Sequence, residues 1–200
     1  MPILIDEIEK LESLADPEIF NSDGFHLGVK GSSLSIEKEF GQIIYEFVLA
    51  KKPDQILELG TAQGYSTCWF LLGLNKNEKG RILTIDHEDR QPKIWDQIEI
   101  PIERLKSFNI ESDQFLKENR IKFDMVFLDT HHRIEMIIYD LERLIPFLNS
   151  GATVLIHDTN YVPQMGIELE QYFSHKKDFD YLEIKKSCGL GIATYKGDKE

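Results

Sequence analysis

The sequence predicts an α/β fold: a mostly parallel, seven-stranded sheet with helices on both faces and an antiparallel hairpin at its C-terminal end. Three observations carry this. Short apolar runs alternate with segments of helical period between residues 55 and 157, the pattern of a parallel sheet buried on both sides. The first of these runs, QILEL, leads straight into a glycine-bearing turn, GTAQG, and then into an apolar helical stretch. Two strand-like runs close the chain at 181–185 and 190–195, too close together for the crossover that a parallel pair requires.

The elements follow in order. Apolar residues recur at Ile3, Ile5, Ile8, Leu11 and Leu14, a stripe that predicts an amphipathic helix packing on the body or on a second copy of the chain. Residues 23–31 hold three glycines around His26 and read as irregular. Phe40, Ile43, Ile44, Phe47 and Val48 form one helical face, predicting a helix over 35–50. Beyond it come strand 55–59, helix 66–74, strand 81–86, a helix around 93–98, a weak strand near 105–110, helix 113–119, strand 124–129, helix 134–147, strand 153–157 and helix 166–174. At 200 residues a single domain with one core is expected, with 1–50 as an N-terminal helical segment and 51–197 as the core.

A formal net charge of −12 argues against nucleic acid or an anionic membrane as the main partner. Cys68 and Cys188 lie far apart and read as buried free thiols. The N-terminus carries acids where a leader would carry bases, and no apolar run approaches a membrane span, so a cytoplasmic protein is expected.

The glycine turn predicts a bound cofactor. Gly60 at the carboxyl end of a first strand permits a tight turn and close approach of a ligand, and the helix that follows offers free N–H groups. A dinucleotide fingerprint wants G-x-G-x-x-G, but Ala62 occupies the middle position here and the glycines are Gly60 and Gly64, which disfavours NAD. Glu58, two residues earlier, can hold a cationic amine or orient the turn. Asp86, roughly twenty residues on at the end of the second strand, is placed to accept hydrogen bonds from a ribose diol.

ILELGTAQGYST resembles motif I of the class I S-adenosylmethionine (SAM) dependent methyltransferases, and within them the small metal-dependent O-methyltransferases of the catechol and caffeoyl-CoA type and the related sugar O-methyltransferases. The resemblance covers about residues 31–197 and implies the Rossmann-like methyltransferase fold. It implies that Glu58, Gly60 and Ser66 line the methionine end of SAM, that Asp86 holds the ribose, and that Glu111 or Ser112 lies by the adenine. Glu111 and Ser112 also suit an ordinary helix start.

Two polar clusters follow successive strands, Asp129-Thr130-His131-His132 and His157-Asp158-Thr159-Asn160. Ligands of open α/β sheets bind beyond the carboxyl ends of the strands, so both clusters face the crevice that holds Gly60. Asp129 and Asp158, with Thr159 or Asn160 as a neutral oxygen ligand, form a hard-oxygen set suited to Mg²⁺; the histidines permit Mn²⁺, Fe²⁺ or Zn²⁺. Strand alternation turns His157 away from Asp158, into a supporting role. In the resembling family a D-x-x-H spacing places an acid on the metal and a base three residues later, which Asp129 and His132 match. The family carries Asp-Asn at the second cluster, whereas Thr159 intervenes here.

The expected activity is therefore SAM-dependent methyl transfer to a hydroxyl of a small molecule, with divalent-metal assistance. A homodimer is compatible with the N-terminal stripe. Rival readings are aminopropyl transfer or a hydroxylase-like reaction on the same fold, and a non-catalytic SAM-binding protein. The acceptor pocket is expected around 24–33, 91–95 and 161–165, where Trp95, Tyr161 and Met165 suit either a ring-shaped ligand or the core.

Overall fold

In the computed structural model, which describes residues 36–88, 95, 100–161 and 163–197, seven strands form one sheet. The elements are α1 (Lys38–Lys51), β1 (Gln55–Leu59), α2 (Tyr65–Asn77), β2 (Arg81–Asp86), β3 (Leu105–Asn109), α3 (Ser112–Glu118), β4 (Phe123–Leu128), α4 (Ile134–Leu144), β5 (Leu148–His157), α5 (Pro163–Ser174), β6 (Phe179–Ile184) and β7 (Leu190–Tyr195). Strand order is β3-β2-β1-β4-β5-β7-β6. β1 pairs in parallel with β2 and β4, whereas β7 runs antiparallel to both β5 and β6. The short link between β6 and β7 requires that pair to be antiparallel, and the hairpin sits with β7 beside β5.

Both faces of the sheet are covered, which is why its central strands lack a polar face. Ile56, Ile82, Met125, Phe127 and Leu155 pack with α1 and α2 in one cluster, while Leu57, Leu59, Leu83, Val126, Val154 and Ile156 pack with α3, α4 and α5 in another. Alternate residues of each strand serve opposite cores. This parity matters for function: it aims Glu58 of β1 and His157 of β5 at the α1/α2 side.

Several boundaries differ from the sequence expectation. α1 begins at Lys38, with Glu37 in extended backbone before it. The helix expected over 134–147 stops at Leu144 and tightens into a 3₁₀ turn over Ile145–Phe147, because Pro146 cannot donate the next helical hydrogen bond. β5 starts five residues early, at Leu148. Cys188 is half-buried in the β6–β7 loop, not buried in an element, and both cysteines are free thiols. The readings made for 3–14, 23–31, 24–33 and 91–94, and most of the helix around 93–98, fall outside the described residues. Among those described, no helix is long and apolar enough to cross a membrane.

Candidate active site at the carboxyl ends of β1, β4 and β5

The strand order reverses between β1 and β4, because β1 continues outward to β2 on one side and β4 to β5 on the other. A crevice opens at such a switch point. Gly60 and Asp129 face each other across it: Asp129 N–H donates to Leu59 O at 2.9 Å and Gly60 N–H to Ile85 O at 2.9 Å. A Cβ on Gly60 would lie 2.1 Å from the Asp129 carbonyl oxygen, and Gly60 has φ +98°. Only glycine satisfies both demands.

The turn is left-handed at Gly60, Ala62 (φ 43°) and Gly64 (φ 75°). Gly64 N–H donates to Thr61 O at 2.7 Å, and no side chain caps the start of α2, so its first turn offers backbone N–H groups to a ligand. Ala62 N–H donates to Asp86 Oδ2 at 2.9 Å and Glu88 N–H to Asp86 Oδ1 at 3.0 Å. Asp86 therefore ties the turn to the end of β2 while keeping acceptor capacity on both oxygens. Trp95, from the expected acceptor segment, donates its indole N–H to Gly64 O at 3.2 Å.

Glu58 is fully buried. It accepts hydrogen bonds from Ser66 Oγ and Thr67 Oγ1, both at 2.6 Å, and so orients the turn by fixing the first residues of α2. Burial, with a smaller push from the Asp129 charge, outweighs its Ser66, Thr67 and Thr84 hydrogen bonds and raises its pKa to about 7. The native state therefore keeps this proton after the unfolded chain has lost it. Stability is expected to fall, by on the order of 3 kcal/mol, as pH rises from the ordinary glutamate value to about 7, and to level off above. Urea unfolding of Glu58→Gln at pH 5 and pH 8 should show this part of the slope removed; the same slope in both proteins would contradict the assignment.

At the far side, Asp129, His157 and Asp158 each present a ligand atom, all within 4.8 Å of one another. His157 Nδ1 lies 3.4 Å from Asp129 Oδ1 and 3.4 Å from Asp158 Oδ1, yet makes no well-aligned hydrogen bond and is buried. His157 Nε2 pairs with Glu37 Oε2 at 2.9 Å, and Glu37 Oε1 accepts Cys188 N–H at 2.9 Å. His132 Nδ1 stands 2.9 Å from Asp158 Oδ2, and its ring lies 5.2 Å from that of Tyr161.

The charges are mutually dependent. Burial opposes a charged His157, but Asp129, Asp158 and Glu37 hold its pKa well above the usual value. Burial likewise opposes ionised Glu37, and the hydrogen bonds from His157 and Cys188 N–H overcome it, leaving Glu37 at about 2. The hydrogen bond to Asp158 raises His132, and despite burial Asp158 is held below the carboxylate range by His132 and His157. Asp158, buried, and Asp129 and Glu37, each 23% exposed, surround His157, and carboxylates withdrawn from water in this way favour a cation among them. His157 Nδ1, which makes no aligned hydrogen bond, and the two converging carboxylates form a donor set that fits a divalent ion.

The sequence reading of His157 as turned away from Asp158 is corrected here. Asp158 adopts φ +61°, a left-handed residue that interrupts strand alternation, so both side chains converge on Asp129. Asn160 is drawn elsewhere, its amide donating to Ser187 O at 3.0 Å and its N–H to Cys188 O at 2.7 Å. Thr159 is buried against the hairpin glycines, its Oγ1 2.5 Å from where a Cβ on Gly189 would stand. Glu111 is exposed ahead of α3, and Ser112 is half-buried at its start within reach of Asp140. Asp140, buried and accepting from Thr130 Oγ1 at 3.2 Å, was not singled out from sequence, nor was Glu37. Met165 belongs to the core.

The family described as "Methyltransferase domain" matches residues 57–159, from β1 through the second polar cluster. The chain belongs to this methyltransferase family. A catechol O-methyltransferase from Niastella koreensis is 31% identical over 99 residues, which cover 46% of this chain and 42% of that protein; the chain thus matches less than half the length of that relative. Among solved structures, the O-methyltransferase TomG of Streptomyces achromogenes, involved in tomaymycin synthesis and in complex with SAM, superposes with a TM-score of 0.71 at 19% identity, covering 96% of this chain and 90% of that one. An O-methyltransferase from Bacillus cereus in complex with SAH (S-adenosylhomocysteine) gives 0.71 at 15% identity, covering 96% and 91%. The structural likenesses show the Rossmann-like methyltransferase fold, and the hairpin that distinguishes it from a dinucleotide-binding sheet is in place.

Proposed function

We propose that this methyltransferase domain transfers a methyl group from SAM to a hydroxyl of a small molecule, assisted by a divalent cation. The observation that carries the reading is the convergence of Asp129, Asp158 and His157 across the switch-point crevice from the glycine turn. The O-methyltransferases named above support it.

Bound SAM supplies an electrophilic methyl on its sulfonium, and a divalent cation at the acidic cluster supplies the charge that acidifies a nearby hydroxyl. The chain's own groups do the rest. Gly60, Gly64 and the first turn of α2 receive the methionine end, with Glu58 and Ser66 fixing the shape of that turn. Asp86 is the ribose acceptor, and Glu111 or Ser112 lies toward the adenine. Asp129 and Asp158 hold the cation; Thr159 and Asn160, the neutral donors expected from sequence, serve only if their backbone or side chains turn from the hairpin. Mg²⁺ is the ion that an all-oxygen set would take.

His132 is the candidate base. With Nδ1–H donating to Asp158, Nε2 is the nitrogen left to accept a proton, and partial exposure lets that proton pass to solvent. His132→Ala is expected to lower kcat about 100-fold or more while leaving SAH affinity unchanged. Production of SAH, measured with a panel of catechols and hydroxylated sugars, reads the first effect and calorimetry the second. Unchanged kcat would remove His132 from the mechanism. Tight binding of decarboxylated SAM alone would instead favour aminopropyl transfer. We also propose a single domain over 1–200, a cytoplasmic site of action and a homodimer.

A further inference from the structure

We infer that His157 is itself a ligand of the cation and that Glu37 is its positioning residue, so that the site selects a first-row transition ion over Mg²⁺. The inference rests on the proposed cation site and specifies its donor set and its selectivity.

Glu37 fixes the protonation of His157 Nε2. A carboxylate can only accept, so the 2.9 Å contact between His157 Nε2 and Glu37 Oε2 places a proton on Nε2. A cation would take the place of the proton on Nδ1, the atom that stands equidistant, at 3.4 Å, from an oxygen of Asp129 and an oxygen of Asp158. That atom is buried without an aligned hydrogen bond, and donor atoms roughly 3 Å apart are what ligands about 2.1 Å from one shared ion present to each other. A metal-bound histidine whose other nitrogen donates to a carboxylate is the usual outer-shell arrangement.

The ring is held in place. Phe40 meets it edge-on with centroids 5.9 Å apart, and Phe127 lies 6.3 Å away. Glu37 is anchored in turn by Cys188 N–H, so the residue immediately before α1 and the β6–β7 loop jointly fix a side chain 120 residues distant in sequence. Mg²⁺ prefers oxygen donors and retains water, whereas imidazole suits Mn²⁺, Fe²⁺, Co²⁺ and Zn²⁺. One nitrogen among two carboxylates therefore tilts the choice of ion.

Metal-stripped protein is titrated with Mg²⁺, Mn²⁺ and Co²⁺ by calorimetry, with the Co²⁺ absorption spectrum recorded in parallel. The wild type is expected to bind Co²⁺ and Mn²⁺ at least about tenfold more tightly than Mg²⁺. His157→Gln should abolish that preference and change the Co²⁺ spectrum, and Glu37→Gln should weaken Co²⁺ binding about 10- to 100-fold with Mg²⁺ affected less. Nitrogen-15 NMR of the wild type alone gives a readout that needs no variant: adding Zn²⁺ should move the Nδ1 resonance of His157 to a metal-bound position while Nε2 stays protonated. An Nδ1 that remains protonated, or a His157→Gln variant with unaltered Co²⁺ affinity and spectrum, overturns the inference and leaves Asp129 and Asp158 as cation ligands. If no divalent ion binds the wild type and methyl transfer survives chelation, the cation reading itself falls, and a protonated His157 is the cation that neutralises the cluster.

Discussion

Gly60→Ala is expected to cost about 4 kcal/mol or more of stability and to weaken SAH binding by about 100-fold or more. Two penalties combine. A left-handed conformation costs an L-residue about 1–2 kcal/mol, and the added Cβ would stand 2.1 Å from the Asp129 carbonyl oxygen, forcing β1 and β4 apart at the switch point. Substitutions that force a backbone shift populate the severe end of mutational effects. Gly151→Ala is the control: Gly151 has φ +83° but nothing within 4 Å of its added Cβ, so it should lose only the conformational part, about 1 kcal/mol. Urea unfolding and SAH calorimetry of the two variants would separate the contributions. Equal effects would show that the close approach of the two strand ends is unimportant.

Asp158→Ala should lower methyl transfer by about 1,000-fold or more, since it removes a cation ligand and the partner that orients His132 together. The expected signature is loss of divalent binding with SAH affinity retained, because Asp158 lies across the crevice from Gly60 and contacts neither Asp86 nor the start of α2 in any hydrogen bond described above. A variant whose turnover fell only in step with its SAH affinity would place Asp158 in cofactor binding and not in the chemistry. The side effect on stability is opposed in sign: a buried acid is removed, but His157 loses one of three compensating charges, and breaking one member of a buried ionic set is costly.

The sheet was legible because its strands alternate with helices at regular spacing and because the final two runs are joined too closely to be parallel. Motif I was legible for a similar local reason, since a strand, a turn and a helix occupy consecutive residues. The convergence of Asp129 and Asp158 was legible because strand ends converge in this topology. His157 was misplaced because alternation was extended one residue too far, to Asp158, whose φ of +61° ends it. The signal available was weak: aspartate tolerates the left-handed region better than most residues. Glu37 could not be found locally at all. Its contacts are with His157 and Cys188, both far along the chain, and sequence period assigns it merely to the start of a helix. Pro146 should have signalled the end of α4.

Anomalous diffraction from a crystal soaked with SAH and MnCl₂ would locate cofactor and cation together. SAH is expected along the glycine turn with its ribose on Asp86 and its sulfur toward Asp129, and an anomalous peak enclosed by Asp129, Asp158 and His157 Nδ1. SAH bound away from Gly60 and Asp86, or a manganese peak outside that triangle, would contradict it.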